Sequence, residues 1–352
     1  MKAMVLYDQG KTELREVPIP EIGNEDILLK VEACGICGSD LHVFYGNLAP
    51  QGPVPYIMGH EFVGTIAKTG SRVDSRWKIG DHVVSENTGG ACGICPACSK
   101  GDFVNCANRI CLGCGTDGGF AEYVKIPGQI LKIYPNCLYH IPEKLSFEEA
   151  TVLEPAANAY KAVIQEGNLH AGETVVVFGA GALGLMSVQM ASIAGAANVI
   201  LVGMTNDKVT RFPIASIYGA THCLVSNENP HLISDIMDIA GPNGVALVID
   251  AAGVPLVTSQ AITIVRNEGM IVRIGMSPKP FNDTLDTFAT KSVTIRGHMG
   301  YNQESWRNTL SLASCGKLNL KSIITEVMPL ENYEAGFEKM RNQTASKVIL
   351  IP

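Results

Sequence analysis

Two short stretches place reactive side chains close together: Cys34-Gly-Ile-Cys37-Gly-Ser39-Asp40-Leu-His42 and, after a Pro/Gly-rich loop, Gly59-His60-Glu61-Phe-Val-Gly64. Thiols, imidazoles, two carboxyls and a hydroxyl in one neighbourhood suit zinc, which accepts sulfur, nitrogen and oxygen donors. A catalytic zinc uses three protein ligands and leaves the fourth position for water or substrate. Cys37 and His60 fit two of those positions, and Glu61 fits the third or a place just outside it. Asp40 can accept from the ring nitrogen of His60 that faces away from the metal, which fixes the tautomer. Taken singly, each of these residues reads equally well as a core thiol, a satisfied histidine or a solvated acid. The zinc-protease helix signature does not apply, because it needs a second histidine where Gly64 stands.

A second sulfur-rich stretch reads Cys92-Gly-Ile-Cys95-Pro-Ala-Cys98 and continues to Cys106. Four thiolates at this spacing close a tetrahedral zinc with no open position, so such an ion staples a loop and does no chemistry. An iron–sulfur cluster is the chemical competitor. The polar, turn-rich surroundings argue against four unrelated core thiols. Cys111 and Cys114 form a further C-x2-C pair, and we read them as ordinary thiols with Cys106 kept as the fourth ligand.

The third constellation carries no reactive side chain. The apolar run Glu173-Thr-Val-Val-Val-Phe178 leads into Gly179-Ala-Gly181-Ala182-Leu183-Gly184, and a helix is expected from there through Ala194. A GxGxxG between strand and helix makes a tight turn, lets backbone approach a pyrophosphate, and packs helix on strand. The pyrophosphate then rests on the unpaired amides of the helix start. An acid is expected about 20 residues further on, to bind the adenosine ribose. Gly203 stands there instead, followed by Met204-Thr205-Asn206-Asp207-Lys208 and Arg211. NADP is therefore allowed, with Thr205, Asn206, Lys208 or Arg211 on its phosphate. Asp207 serving the ribose from a shifted position would favour NAD, so both dinucleotides stay open.

The elements that must position these groups divide into two kinds. At 352 residues, two domains are expected. Short strands at Ala3–Tyr7, Glu13–Val17, Ile27–Glu32, Phe62–Thr69 and His82–Ser85, broken by Gly and Pro, predict an all-β, partly barrel-like first domain. Ser146-Phe-Glu-Glu149 is a capping box that should start a helix carrying Ala150, Leu153 and Glu154. Glu154 lies in an apolar stretch. Buried, it needs a partner, of which a metal is one; exposed, it is an ordinary helical acid. From residue 156 strands and helices alternate, with strands at Glu173–Phe178, Asn198–Val202, His222–Val225, Val245–Asp250, Gly269–Gly275 and Ser292–Gly297. That pattern predicts a doubly wound parallel sheet over 156–296. A late helix at Gln303–Cys315 and a strand at Lys347–Ile351 should rejoin the first domain, giving 1–155 with 297–352.

Composition excludes several functions. The net charge of −7, with no basic block, disfavours a nucleic-acid partner. The uncharged run from Thr174 to Asn206 is long enough to span a bilayer, but its glycines and polar residues fit strand, turn and helix better. The opening Met-Lys-Ala-Met-Val-Leu-Tyr-Asp reaches an acid before an export signal's apolar core can form. A cytoplasmic location is expected, with the 11 cysteines reduced or bound to metal.

The ordered set Cys-Gly-Ser-Asp-Leu-His, Gly-His-Glu-Phe-Val-Gly, four-cysteine lobe and glycine fingerprint resembles the zinc-dependent medium-chain dehydrogenase/reductase family over essentially the whole chain. Glu154 in Leu-Glu-Pro is similar to the polyol (sorbitol-type), butanediol and threonine dehydrogenase branch. The resemblance implies a GroES-like β domain beside a Rossmann domain, with one catalytic and one structural zinc. It implies Cys37, His60 and Glu154 on the catalytic zinc, Glu61 as an alternate ligand, and Cys92, Cys95, Cys98 and Cys106 on the structural one. Ser39 would take the substrate proton, His42 would release it to solvent through the nicotinamide ribose, and Asp40 would support His60. The implied reaction is hydride transfer between NAD(P) and a secondary alcohol or ketone, a polyol or sugar-derived alcohol, in a homodimer or homotetramer; threonine-type amino-acid oxidation and a non-catalytic zinc- and dinucleotide-binding scaffold are the alternatives. Sorbitol-type members use an arginine in the segment that here reads Gly297-His298-Met299-Gly300-Tyr301, which lacks one.

Overall fold

The computed structural model describes residues 1–352 except Asp283 and Leu285. The chain forms two compact units: Met1–Glu154 with Asn302–Gly316 and Ile324–Pro352, and Pro155–Tyr301 with Lys317–Ile323.

The first unit is built on a seven-stranded sheet. Its central strand, Ile27–Gly35, alternates buried Leu29 and Val31 with exposed Lys30, the period of a half-buried strand. It pairs antiparallel with Glu61–Thr69, matching Gly35 to Glu61 and Cys34 to Phe62. On its other edge Lys347–Ile351 adds antiparallel through Ile349 opposite Gly35. Strands Lys11–Glu16, Lys2–Asp8 and Tyr56–Ile57 make a second sheet, and Thr88–Gly90 with Ile110–Cys111 a small ribbon. Phe62, Phe120 and Phe337 sit fully buried in the core.

The expected strands are all present, most with ends shifted by a residue or two. Two local features differ from expectation. Gly38–Phe44 is a helix, begun where the Cys37 amide donates to Asp40 Oδ2 at 2.9 Å. The helix capped by Ser146 stops at Thr151, and a second, Leu153–Tyr160, carries Glu154 in its first turn.

The second unit holds a six-stranded parallel sheet in the order His222–Val225, Asn198–Gly203, Thr174–Phe178, Val245–Asp250, Val265–Arg273, Thr294–Gly297. This is the strand order of two mononucleotide-binding halves meeting at a switch point. Thr174–Phe178 is buried at every residue, as a strand covered on both faces must be. The helix after it, Ala182–Ile193, is uncharged because most of it is buried too. Among the described residues no helix is long and apolar enough to cross a membrane.

Candidate active site

The antiparallel register that sets Gly35 opposite Glu61 also delivers Cys37 and His60 to one point. The donor atoms of Cys37, His60 and Glu61 all lie within 4.8 Å of one another. Asp40 joins two of them: one oxygen accepts the Cys37 amide, and the other lies 3.3 Å from His60 Nδ1. The helix Gly38–Phe44 thus orients Asp40 inward, where it is buried. The same helix carries Ser39, half-buried, and His42, exposed and nearly one turn further on.

Glu61 is not free to act alone. Its Oε2 pairs with Nζ of Lys347, fully buried, which also donates to Ile36 O at 2.9 Å. Gly35 makes the room, since a Cβ there would stand 2.3 Å from Glu61 Oε2. Glu154 is not one of the three clustered donors, but it is only 7% exposed, which excludes the ordinary helical acid. Its Oε1 accepts from Asn87 Nδ2 at 3.4 Å, and the same amide reaches the carbonyl of His60 at 3.2 Å. Asn87 holds this position with a left-handed backbone, φ 54°, a region asparagine tolerates better than most residues.

Asp40, Glu61 and Glu154 are all buried in this region, with Lys347 paired to Glu61. Burial pushes the Glu154 carboxyl up to about 7, and neighbouring Glu61 adds to the rise. Burial alone would depress His60, but Cys114, Asp40 and Cys37 around the ring outweigh it and raise its pKa well above the usual value. A pocket that concentrates acids, a thiol and an imidazole away from water is chemically matched to a divalent cation, whose charge offsets the desolvation of its ligands.

The four lobe thiols meet separately. Cys92, Cys95, Cys98 and Cys106 have sulfurs mutually within 4.8 Å, and backbone amides point at them: Cys92 N to Cys106 Sγ at 3.3 Å and Cys98 N to Cys95 Sγ at 3.4 Å. Amides of Ile94 and Cys95 draw the Cys92 thiol down to about 6. This set fits a closed, four-sulfur zinc. Cys111 and Cys114, read as ordinary thiols in the sequence, lie elsewhere, on a turn packed against the backbone of Gly59 and His60, with Cys114 in electrostatic reach of His60 and Cys111.

In the second unit, Gly179 takes φ 99°, and a Cβ on Gly184 would stand 1.8 Å from Gly179 O. Leu185 is the first residue whose amide finds a carbonyl in the helix, that of Gly181 at 2.9 Å. The amides of Ala182, Leu183 and Gly184 are left to face a phosphate. At the end of the next strand, Gly203 has a steric reason: a Cβ there would lie 2.7 Å from Asp207 Oδ2. Asp207 is buried, accepting Met204 N at 2.7 Å and Arg211 Nη1 at 3.0 Å. Its carboxylate therefore builds the turn. Lys208 pairs with Glu228, Thr205 bonds Asn227, and Asn206 is exposed. His298, in the segment without arginine, is tied to Glu166 at 2.5 Å and to Asn158 at 2.6 Å.

Sequence reasoning missed Lys347, Asn87 and the placement of Cys114. The signal for Lys347 was a lysine heading an otherwise apolar strand, Lys-Val-Ile-Leu-Ile.

Residues 23–136 match the alcohol dehydrogenase GroES-like domain and residues 182–314 the zinc-binding dehydrogenase family. The chain is 39% identical to the zinc-type alcohol dehydrogenase-like protein YdjL of Escherichia coli (strain K12), covering 99% of this chain and 98% of that one. It is 36% identical to the L-threonine 3-dehydrogenase of Bacillus subtilis (strain 168), covering 100% and 99%. Among solved structures it resembles 2R,3R-butanediol dehydrogenase from Bacillus subtilis, with a TM-score of 0.88 at 27% identity over 100% and 99% of the two chains. With both sulfur centres and the glycine turn in place, the chain belongs to the zinc-dependent medium-chain dehydrogenase/reductase family and is an NAD(P)-dependent alcohol dehydrogenase.

Proposed function

We propose that the protein exchanges hydride between NAD(P) and a secondary alcohol or ketone of a small hydroxylated metabolite, a polyol or sugar-derived alcohol. The observation that carries this is the cluster of half-buried Cys37 with buried His60 and Glu61, near buried Glu154. Cys37, His60 and Glu154 would hold the catalytic zinc. Glu61, already paired with Lys347, would be the alternate ligand. Zinc bound there supplies Lewis acidity, which makes a hydroxyl easier to deprotonate.

The chain's own groups do the rest. Asp40 holds the His60 ring in one orientation, and Asn87 aims Glu154. Ser39 accepts the substrate proton, and exposed His42 on the same helix face passes it to water. The first-turn amides of the helix Ala182–Ile193 seat the pyrophosphate. The lobe cysteines hold the structural zinc. The turn after Gly203 keeps both dinucleotides open: Asp207 is committed to the backbone, and Thr205, Asn206, Lys208 and Arg211 remain the candidate phosphate contacts. The working form is a cytoplasmic homodimer or homotetramer.

The 36% identity to an L-threonine 3-dehydrogenase supports a second reading, oxidation of an amino-acid β-hydroxyl. Initial rates with NAD and NADP against polyols, sugar alcohols, 2,3-butanediol and threonine, with zinc counted per chain, separate the two. The proposal expects two zinc ions per chain and fastest turnover on a polyol; a clear preference for threonine would replace it with the second reading.

A further inference from the structure

Cys111 and Cys114 have no part in the chemistry above, yet the turn that carries them is fixed to the metal site. Cys114 N donates to Cys111 O at 3.3 Å and the Thr116 hydroxyl to the same carbonyl at 2.8 Å, folding the turn tightly. That turn sets the two thiols three residues apart and near enough to influence each other electrostatically, and both are free, partly exposed cysteines. A Cβ on Gly113 would stand 2.2 Å from Gly59 O, so the turn lies directly on the backbone leading into His60.

Each sulfur has its own link to the metal-site residues. Cys114 follows Gly113, whose backbone packs on Gly59 and His60 N, and its thiol lies within electrostatic reach of the His60 ring. Cys111 Sγ lies 3.6 Å from Asn87 Oδ1, on the side chain whose amide holds Glu154 and the His60 carbonyl.

We propose that Cys111 and Cys114 are an oxidation site, closed by a hydroperoxide into an intrachain disulfide that turns off the neighbouring metal centre. One thiol attacks the peroxide oxygen, giving a sulfenic acid and releasing an alcohol (water, for hydrogen peroxide). The other sulfur then displaces water from the sulfenic acid, forming the S–S bond. The two thiols lose two electrons and two protons, and the hydroperoxide is reduced. A disulfide holds its sulfurs at about 2.0 Å, so both must leave their present positions. Cys114 withdraws from His60 and Cys111 from Asn87. The effect on turnover rests on the function proposed above; formation of the bridge does not.

The sequence makes the test direct, because trypsin releases Ile110–Lys125 as one peptide containing these two cysteines and no others. Zinc-loaded protein is treated with tert-butyl hydroperoxide and alkylated, and its peptides are mapped alongside turnover and zinc content. The expected result is a bridged 110–125 peptide whose fraction tracks a loss of turnover of about tenfold or more, the scale set by disturbing a ligand's supporting partners. Dithiothreitol should restore the rate, and Cys111→Ser should not lose it under the same treatment. A 110–125 peptide that stays fully alkylated while turnover falls overturns the proposal. So does a bridge that forms with turnover and zinc unchanged. If Cys111→Ser fails to fold, the wild-type map still decides. Protein that turns over no alcohol before oxidation counts against the function instead, and the bridge and zinc retention are then read without it.

Discussion

The lobe and the active site are both sulfur-bearing clusters in the first unit, but the chain builds them differently. The lobe takes its four donors from one local stretch, Cys92 to Cys106, shaped by its own turns and by amides aimed at the sulfurs. The other cluster draws Cys37 and the adjacent His60 and Glu61 from two separate places in the chain, with Glu154 nearby from a third, and Asn87 and Lys347 bond to them from two more. A local set with every position filled can only stabilise. A dispersed set can leave a position for substrate, and it depends on the fold for every ligand.

The largest effect is expected from His60→Ala, which should reduce turnover to background and remove one zinc per chain while dinucleotide binding persists, as fluorescence titration would show. Cys95→Ser should do the reverse in kind. Its lost zinc should appear first as stability, about 3 kcal/mol, or roughly 10 °C in Tm. Equal thermal losses from the two variants would erase the distinction.

Lys347→Met strips Glu61 of its buried counterion, and breaking such a pair costs about 3–5 kcal/mol. Denaturant unfolding of metal-free protein should show the loss, and adding Glu61→Gln should recover part of it. Asn87→Gly relaxes the backbone but deletes the amide. If that amide aims Glu154, zinc should dissociate about 10–100-fold more readily to a chelator. If only the left-handed backbone mattered, the variant would match wild type. Asn87→Asp, which keeps the shape but repels Glu154, should be worse than Asn87→Gly.

The smallest effect concerns Glu86, buried and raised to about 8 by desolvation. Its folded-state pKa lies above the usual 4.5, so the folded protein binds the extra proton in between. Stability from this group is then lost as pH rises through that window. Glu86→Gln should flatten the decline in Tm between those limits.

What the sequence disclosed follows the same division. The lobe, the glycine turn and the six parallel strands rest on local spacing and hydrophobic period, and all were readable. Cys37 and His60 were readable as types, but their meeting depends on the pairing of Ile27–Gly35 with Glu61–Thr69. The helix Gly38–Phe44 was not anticipated, because it is short and starts from a cysteine, a poor side-chain cap. The burial of Glu154 could not be told from exposure, since a capping box looks the same either way. The missing acid at Gly203 looked like a cofactor signal alone, and only three dimensions show Asp207 filling that space.

Lys347 reaches back across 286 positions to Glu61. During synthesis the N-terminal half leaves the ribosome with Glu61 still lacking its cation, and the whole parallel-sheet unit is made before that partner emerges. The lobe, by contrast, can capture its ion as soon as Cys106 is exposed. The lobe cysteines are therefore all made well before the strand bearing Lys347 can dock beside Glu61.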